Sequence, residues 1–242
     1  MAGLRCSVIV PVYNEGANIA AYCRRALETF PQGFELLVVH DMDEDDTLPA
    51  LAALPASAKP VATRTVRNAI GRGVRNAIVA GMQAASAPVI IVSMADLSDD
   101  LEKLDEMATR AERGAAVVCA SRYMKGGAQH GGPFMKGLMS RVAGVTLHWF
   151  AGLPTHDPTN SFKAYRKDFL EQTPIESTVG FCLALELTVK AHAAGLRVEE
   201  IPAEWWDRAA GESRFRVVAW LPHYLKWYFW AMGRRFAGGR GR

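Results

Sequence analysis

From Cys6 to Arg122 the chain repeats one pattern: a short apolar run, a polar or glycine-rich junction, then an amphipathic stretch. CSVIVPV (6–12), FELLVVHD (34–41), VATRTVRN (61–68), PVIIVSMAD (88–96) and AAVVCASR (115–122) read as strands. NIAAYCRRALETF (18–30), DTLPALAALP (46–55), VRNAIVAGMQAA (74–85) and DLEKLDEMATRAERG (100–114) read as the helices between them. In the second helix Pro49 suits the first turn, with Asp46 or Thr47 as N-cap. A strand that is apolar on both sides must be covered on both sides, and parallel neighbours need a crossover, so this order predicts a mostly parallel sheet between two helical layers. In such sheets ligands bind beyond the carboxyl ends of the strands. The residues that leave the strands are therefore the ones to watch: Pro11 to Glu15, His40 to Asp45, Asn68 to Gly73, Asp96 to Asp100 and Arg122 to Gly127.

Past residue 125 the alternation weakens. GGAQHGGP (126–133) reads as a flexible loop and FMKGLMSRVAGVTLHWFAGL (134–153) as one helix. THDPTNSFKAYRKDFL (155–170) reads as a turn, a strand and a helix. GFCLALELTVKAHAAGL (180–196) is a helix stopped by Gly195 at C′, and RVEEIPAEWWDR (197–208) reads as one strand. The division expected is a domain over 1–204 and a basic, aromatic segment over 205–242. That segment holds eight Lys/Arg against two Asp/Glu, and five of the six tryptophans. Its apolar stretch, 217–232, is shorter than the ~20 residues needed to span a bilayer and contains Pro222, His223 and Lys226. It suits a helix lying in a membrane interface, or one packed on the sheet or forming a dimer.

Other totals exclude more than they assert. A formal charge of +3 is too small to argue for nucleic acid. The four cysteines are scattered, without a Cys-x-x-Cys pair, which fits reduced buried thiols in a cytosolic chain. No signal-peptide pattern opens the sequence, so the expected location is cytoplasmic, with the tail as the candidate for peripheral contact with the inner face of a membrane. GRGVRNA is an incomplete dinucleotide fingerprint, because Asn76 stands at the third glycine position.

Taken in order, SVIVPVYNE (7–15), VVHDMDEDDT (38–47), GRG (71–73), ADLSDDLEKL (95–104), SRYMKGG (121–127), DPTNSFKAYRK (157–167), GF with LELTVKA (180–191) and EIPAEWWDRAAGESRF (200–215) resemble the inverting glycosyltransferases of family 2. The pattern is most similar to the polyprenyl-phosphate sugar synthases of the dolichyl-phosphate mannose synthase type. The resemblance implies the GT-A type nucleotide-diphospho-sugar transferase fold. It implies a nucleotide diphosphate sugar as donor, a polyprenyl phosphate as acceptor and Mg2+ or Mn2+ as cofactor. Carried over position by position, Pro11, Tyr13, Glu15, Asp41, Arg72 and Asp96 are donor contacts, with Asp96 also the metal ligand. Arg122, Lys136 and Ser140 match acceptor-phosphate contacts, and Arg208 and Arg214 a loop over the site. Asp96, Arg122 and Asp157 are the candidate catalytic residues.

Two departures from that pattern matter. The family's Asp-Asp-Gly-Ser-x-Asp is here His40, Asp41, Met42, Asp43, Glu44, Asp45, and its Asp-x-Asp is Met94, Ala95, Asp96, followed by Ser98 in place of a further ligand. Magnesium is often held by one or two carboxylates with substrate phosphates and water, so one aspartate can serve. MADLSDD also resembles a bacterial subgroup, which implies a variant site. The alternative is that Asp96 caps the helix beginning near Ser98, with Asp99 and Asp100 complementing the dipole. A lipid phosphate acceptor is already a nucleophile and needs cations, whereas a sugar hydroxyl acceptor in surface polysaccharide synthesis needs a base. For the latter Asp157, next to His156, is the candidate, although Asp-Pro-Thr also makes a turn. A third reading is a non-catalytic nucleotide-sugar-binding or scaffold protein, favoured by Met94 and opposed by Asp41, Asp96 and Arg122.

Overall fold

Five strands form where the apolar runs predict them: β1 (Cys6–Val12), β2 (Phe34–His40), β3 (Ala62–Arg67), β4 (Val89–Val92) and β5 (Val117–Ser121). The computed structural model describes residues 4–30, 33–60, 62–207 and 217–238. Between these strands run α1 (Gly16–Thr29), α2 (Thr47–Ala53), α3 (Val74–Ala84) and α4 (Leu104–Glu112). The alternation of side chains along each strand feeds two cores. Val8, Val10, Leu36 and Ile91 meet Ile19 and Tyr22 of α1 and Leu104 and Met107 of α4. Ile9, Leu37, Val39 and Ile90 face the other way, onto Ala77 and Ile78 of α3. This is the two-sided burial that an apolar parallel strand requires.

The second half adds β6 (Ala128–His130), α5 (Phe134–Thr146), β7 (Lys163–Arg166), α6 (Lys167–Gln172), α7 (Cys182–Ala193), β8 (Val198–Pro202), β9 (Glu204–Trp206) and α8 (Val217–Gly238). The seven-stranded sheet has the order β3-β2-β1-β4-β7-β5-β8. Every pairing in it is parallel except those of β7, which runs against both β4 and β5. Because β7 is reversed, its start lies at the end where its neighbours finish. The 155–161 turn that precedes it therefore arrives beside the exits of β4 and β5.

Three elements differ from the sequence expectation. The glycine-rich 126–133 segment contains β6, which pairs in parallel with β9 in a second, two-stranded sheet. The expected single strand over 197–208 divides at Ala203, whose N–H donates to the Ser121 carbonyl and whose carbonyl accepts from Ala128. β9, which runs across the 204/205 point, then leaves the main sheet, with Trp205 bridged to Asp99 and the Trp206 N–H donating to the Ser98 carbonyl. The expected helix over 134–153 is α-helical only to Thr146; residues Leu147–Ala151 form a π-helical turn that ends at Gly152 in the left-handed region, φ 70°. A Cβ at Gly144 would stand 1.9 Å from the His156 carbonyl oxygen, so this glycine lets α5 lie directly on the 155–158 turn.

α8 packs on α7 rather than on the sheet. Trp227 and Ala231 join Leu185, Val189, Leu147, Ala151 and Leu153 in a third core. The Trp227 Nε1 donates to Ser177 Oγ (2.9 Å), and the Lys190 and Lys226 amines lie 4.9 and 4.8 Å from its ring centroid. Among the described residues no helix is long and apolar enough to cross a membrane. All four cysteines are free and buried.

Candidate active site

The parallel exits bring Pro11 to Glu15, Asp41, Arg72, Asp96 and Arg122 to one end of the sheet, and the reversed β7 adds Asp157. The acids after β2 hold this end together. Asp45 is fully buried and accepts from the Asn14 N–H (3.1 Å to each oxygen) and the Thr47 N–H (2.9 Å). Asp46 Oδ1 accepts from the Gly16 N–H at 2.8 Å. Asn14 itself is held at φ 57°, the left-handed region that asparagine tolerates better than most residues. Asp43 stands outside, paired with Arg67 on the surface. Thus the last two members of the acidic run, Asp45 and Asp46, clamp the β1 exit to the β2 exit.

Asp41, buried at the β2 exit, shapes the loop after β3. Its Oδ1 accepts from Asn68 Nδ2 and its Oδ2 from the Gly73 N–H, both at 2.7 Å, and Arg67 reaches its carbonyl. Arg72 is exposed within that loop, between Gly71 and Gly73 at φ 138° and 121°. Side chains rarely adopt such φ values, so the two glycines set the direction in which the loop carries Arg72. Pro11 is half-buried in β1, Tyr13 is 40% exposed, and Glu15 Oε2 accepts from Asn18 at 2.7 Å.

At the β4 exit Asp96 is half-buried and its Oδ1 accepts from the Ser98 N–H at 3.1 Å. Asp99 turns back into the strand end, where Met94 N–H (2.9 Å) and Ser93 Oγ (3.2 Å) donate to Oδ2. Burial pushes its carboxyl up to about 7 against those hydrogen bonds; the Asp96 charge adds to the rise and the Arg122 charge opposes it. Asp100 is buried at the β9 junction, accepts from the Glu204 N–H, and is also raised by burial. Among the described residues no three His, Cys, Asp or Glu side chains group to hold a metal. The donor set is therefore Asp96 alone at this exit, which fits a magnesium or manganese ion only if phosphate oxygens and water complete the shell.

Arg122, at the β5 exit, makes the most developed polar contact of the site. Nε lies 2.7 Å from Asp157 Oδ2 and Nη2 lies 2.9 Å from Oδ1, a two-pronged pair whose side chains are 11% and 0% exposed. Nη2 also donates to Ser140 Oγ on α5 (3.1 Å), which shares a 2.6 Å hydrogen bond with Thr159 Oγ1. The Arg122 backbone N–H donates to Asp157 as well (3.1 Å). Burial lowers the guanidinium pKa, but the Asp157 charge and hydrogen bonds, joined by the Tyr123 and Asp99 charges, together outweigh it and hold the group cationic. Arg122 fills Asp157 Oδ2 with two donors and shares Oδ1 with the Thr159 hydroxyl at 3.5 Å, so this carboxylate anchors a cation and is not poised for a substrate proton. His156 is tied by Nδ1 to Glu200 (2.9 Å) and stacks on His148, ring centroids 4.0 Å apart. Lys136 is half-buried on the α5 turn before Ser140. Arg208 and Arg214 lie outside the described residues.

Sequence reasoning missed Lys163. It is fully buried on β7, and its amine donates to the carbonyls of Asp157 (3.3 Å) and Asn160, tying both ends of the turn that carries Asp157. Burial lowers its pKa. Asn160 Nδ2 donates to the Ala120 carbonyl (2.9 Å), fixing the same turn to the β5 end that presents Arg122. A lysine between the apolar Phe162 and Ala164, at the start of the short strand KAYR, was the available signal.

Residues 7–173 match the family described as Glycosyl transferase family 2. The chain is 29% identical over 236 residues to a dolichol-phosphate mannosyltransferase of Pyrococcus furiosus, a match that takes in 94% of this chain and 64% of that protein, so this chain spans less than two thirds of it. It is 29% identical over 231 residues to a polyprenol monophosphomannose synthase of Mycolicibacterium smegmatis, covering 89% of this chain and 86% of the relative. Glucosyl-3-phosphoglycerate synthase from Mycobacterium tuberculosis, solved with uridine diphosphate, superposes with a TM-score of 0.68 at 17% identity, over 96% of this chain and 81% of that one. The same enzyme with Mn2+, uridine diphosphate and glucosyl-3-phosphoglycerate superposes with a TM-score of 0.68 at 15% identity. At such identity these likenesses show the fold alone, the GT-A type. The chain belongs to glycosyl transferase family 2.

Proposed function

We propose that the chain transfers a sugar from a nucleotide diphosphate sugar to the phosphate of a polyprenyl phosphate. The observation that carries this reading is the Arg122–Asp157–Ser140 cluster: a fixed cation and a hydroxyl on α5, with the Asp157 carboxylate neutralised by the fork. Such a site can hold and orient an anion; it is poorly made to remove a proton. A phosphate monoester needs no deprotonation. Its oxygen attacks the anomeric carbon, the carbon–oxygen bond to the nucleotide diphosphate breaks, and that electron pair leaves on the diphosphate. Attack opposite the leaving group inverts the anomeric centre. Arg122 keeps the incoming phosphate in place through charge and N–H donors; among the described residues its Nη1 makes no hydrogen bond. Lys136, one turn earlier on α5, adds a second cation.

Glu15, Tyr13 and Asp41 form the donor side, with Asp41 acting through the loop it braces and Arg72 meeting the diphosphate. Asp96 would hold the divalent ion, which when bound neutralises charge building on the leaving diphosphate. The Pyrococcus and Mycolicibacterium relatives are named for lipid-phosphate acceptors, and that supports the same class here. The test is incubation of purified protein with GDP- and UDP-sugars and a short-chain polyprenyl phosphate, with extraction of lipid-linked sugar. Product formed only with the phosphate lipid, and lost in Arg122→Met, is expected. Transfer to a glycan hydroxyl but not to the lipid phosphate would overturn the reading. Absence of both transfer and donor hydrolysis by a folded protein would favour the non-catalytic alternative.

A further inference from the structure

An acid taken out of water needs donors, and those of Glu200 on β8 all come from one place. Its side chain is 9% exposed. Oε1 accepts from the Thr155 hydroxyl (3.0 Å) and the His156 N–H (2.5 Å), and Oε2 from His156 Nδ1 (2.9 Å). These donors belong to the two residues directly before Asp157. The Thr155 hydroxyl, itself fully buried, accepts in turn from the Asp157 N–H at 3.1 Å. A chain of hydrogen bonds therefore runs from β8 through Thr155 to the backbone of Asp157, whose carboxylate receives the Arg122 fork.

The same strand pair sets both partners of that fork. β8 lies parallel to β5 with Glu200 opposite Cys119, three residues before Arg122. Arg122 leaves β5, and Asp157 hangs from β8. On the other side the segment meets α5 and the turn after it. The His156 ring stacks on His148, whose Nδ1 is bonded to the Leu153 carbonyl (2.8 Å), and the His156 carbonyl fills the space beside Gly144. Residues 155 and 156 are thus clamped between β8 and the helix that supplies Ser140. Burial lowers the Lys163 pKa and the Glu200 charge is among those that oppose it, so the lysine that ties the rest of the turn feels this carboxylate too. With three donors on two oxygens, Glu200 is placed to hold the turn and not to take a proton from substrate.

We propose that Glu200 is a positioning residue of the anion site: through Thr155 and His156 it fixes the Asp157 turn, and through that turn the direction of the Arg122 guanidinium beside Ser140. The proposal rests on the lipid-phosphate reading only for the identity of the anion, and one readout is independent of it. That readout is the Arg122 Nε–H signal in NMR spectra of isotope-labelled protein, assigned by its absence in Arg122→Lys. Bonded to a buried carboxylate, this proton should exchange slowly in the wild type and fast in Glu200→Ala and Thr155→Val. Thermal melting shows that each variant is folded; should Glu200→Ala fail to fold, Thr155→Val, which changes shape little, decides. In transfer assays the KM for a short-chain polyprenyl phosphate should rise in both, by about tenfold or more in Glu200→Ala, while nucleoside diphosphate affinity by calorimetry holds. Glu200→Gln keeps an oxygen for Thr155 and the His156 N–H, and its amide donates to Nδ1 once the ring carries its proton on Nε2, so it should recover most of the loss. Because Glu200 acts through Arg122, the double variant Glu200→Ala/Arg122→Lys should be little worse than the worse single one. An Arg122 signal and an acceptor KM that stay at wild-type values in the folded variants overturn the proposal. So do KM effects that multiply in the double variant, or a donor affinity that falls in step with the acceptor KM. If the wild type makes no lipid-linked sugar, the acceptor reading fails, and the Arg122 signal still decides whether Glu200 positions the guanidinium.

Discussion

Replacing Arg122 by lysine tests the two-pronged pair at the β5 exit. Arginine there makes three side-chain hydrogen bonds, at 2.7, 2.9 and 3.1 Å, to two carboxylate oxygens and one hydroxyl. A lysine ammonium keeps the charge but is a single point, and cannot span Oδ1, Oδ2 and Ser140 together. Asp157, fully buried, would keep a cation and the Arg122 backbone N–H, so it is not orphaned. Losing one net charged hydrogen bond costs about 2 kcal/mol, which for a chain of this size lowers the melting temperature by about 4–8 °C. Arg122→Met, by contrast, strands a buried carboxylate at a cost of about 3–5 kcal/mol. Urea denaturation should rank wild type above Arg122→Lys above Arg122→Met. Steady-state assays should show a KM for the lipid phosphate raised by about tenfold or more in Arg122→Lys, with nucleoside diphosphate affinity unchanged by calorimetry. A lysine variant with wild-type KM for the acceptor would refute the idea that the fork, rather than mere positive charge, positions the phosphate.

Lys163→Met should remove the only side-chain donor seen on the Asp157 and Asn160 carbonyls among the described residues, costing about 1–3 kcal/mol for the buried acceptors left behind. The slackened turn should raise the acceptor KM while donor affinity holds, and Lys163→Arg should restore part of it; a change in stability alone would leave Lys163 purely structural. Asp96→Asn should abolish any stimulation of nucleoside diphosphate binding by Mg2+ or Mn2+, read by calorimetry with and without chelator. Glu35 sits at the opposite end of the sheet, where Ser7, Ser86 and Arg64 donate to it and hold its carboxyl down at about 2 against burial. Its folded pKa is below its unfolded value, so its contribution is complete above about pH 4.5 and is lost as pH falls toward 2. The stability gap between wild type and Glu35→Gln, at most about 3 kcal/mol, should therefore close over that window in acid-titrated denaturation curves. Asp99 has the opposite sign: its folded pKa is raised, so stability should fall as pH rises from about 4 to about 7, and Asp99→Asn should flatten that slope.

What was legible in the chain was what local pattern decides. β1, β2 and α3 begin at the residues that apolar runs and glycine junctions mark, because both faces of each strand and one face of each helix must be buried whatever their neighbours. β6 and β9 were not legible, for the opposite reason. Each is three residues long, and GGAQHGGP has none of the apolar alternation of a strand. They form because the β5 exit and Ala203 bring two short segments alongside, a decision made by tertiary contact. The break in α5 at Thr146 was likewise hidden, since Leu147 to Phe150 continue a helical composition while the backbone must turn to deliver the residues before β7.

The site divides along the same line. Junction position marked the stretches that hold Asp41, Asp96 and Arg122, and the family resemblance singled out those residues within them, but neither told what each would be bonded to. Asp41, offered by the sequence as a donor contact, braces the loop that carries Arg72, and Asp157, offered as a catalytic residue, is bonded to Arg122. Met94 illustrates the point from the other side. Its side chain supplies no ligand, yet its backbone N–H binds Asp99, a second carboxyl drawn inward and raised to about 7. Asp99 so placed carries less negative charge at neutral pH than an ordinary carboxylate beside Asp96 would, and Arg122 adds a positive one nearby. A diphosphate donor and a phosphate acceptor are both anions. An exit with one half-buried carboxylate and a fixed guanidinium repels them less than an exposed pair of aspartates would, and that balance is what the proposed transfer between two phosphates asks of this end of the sheet.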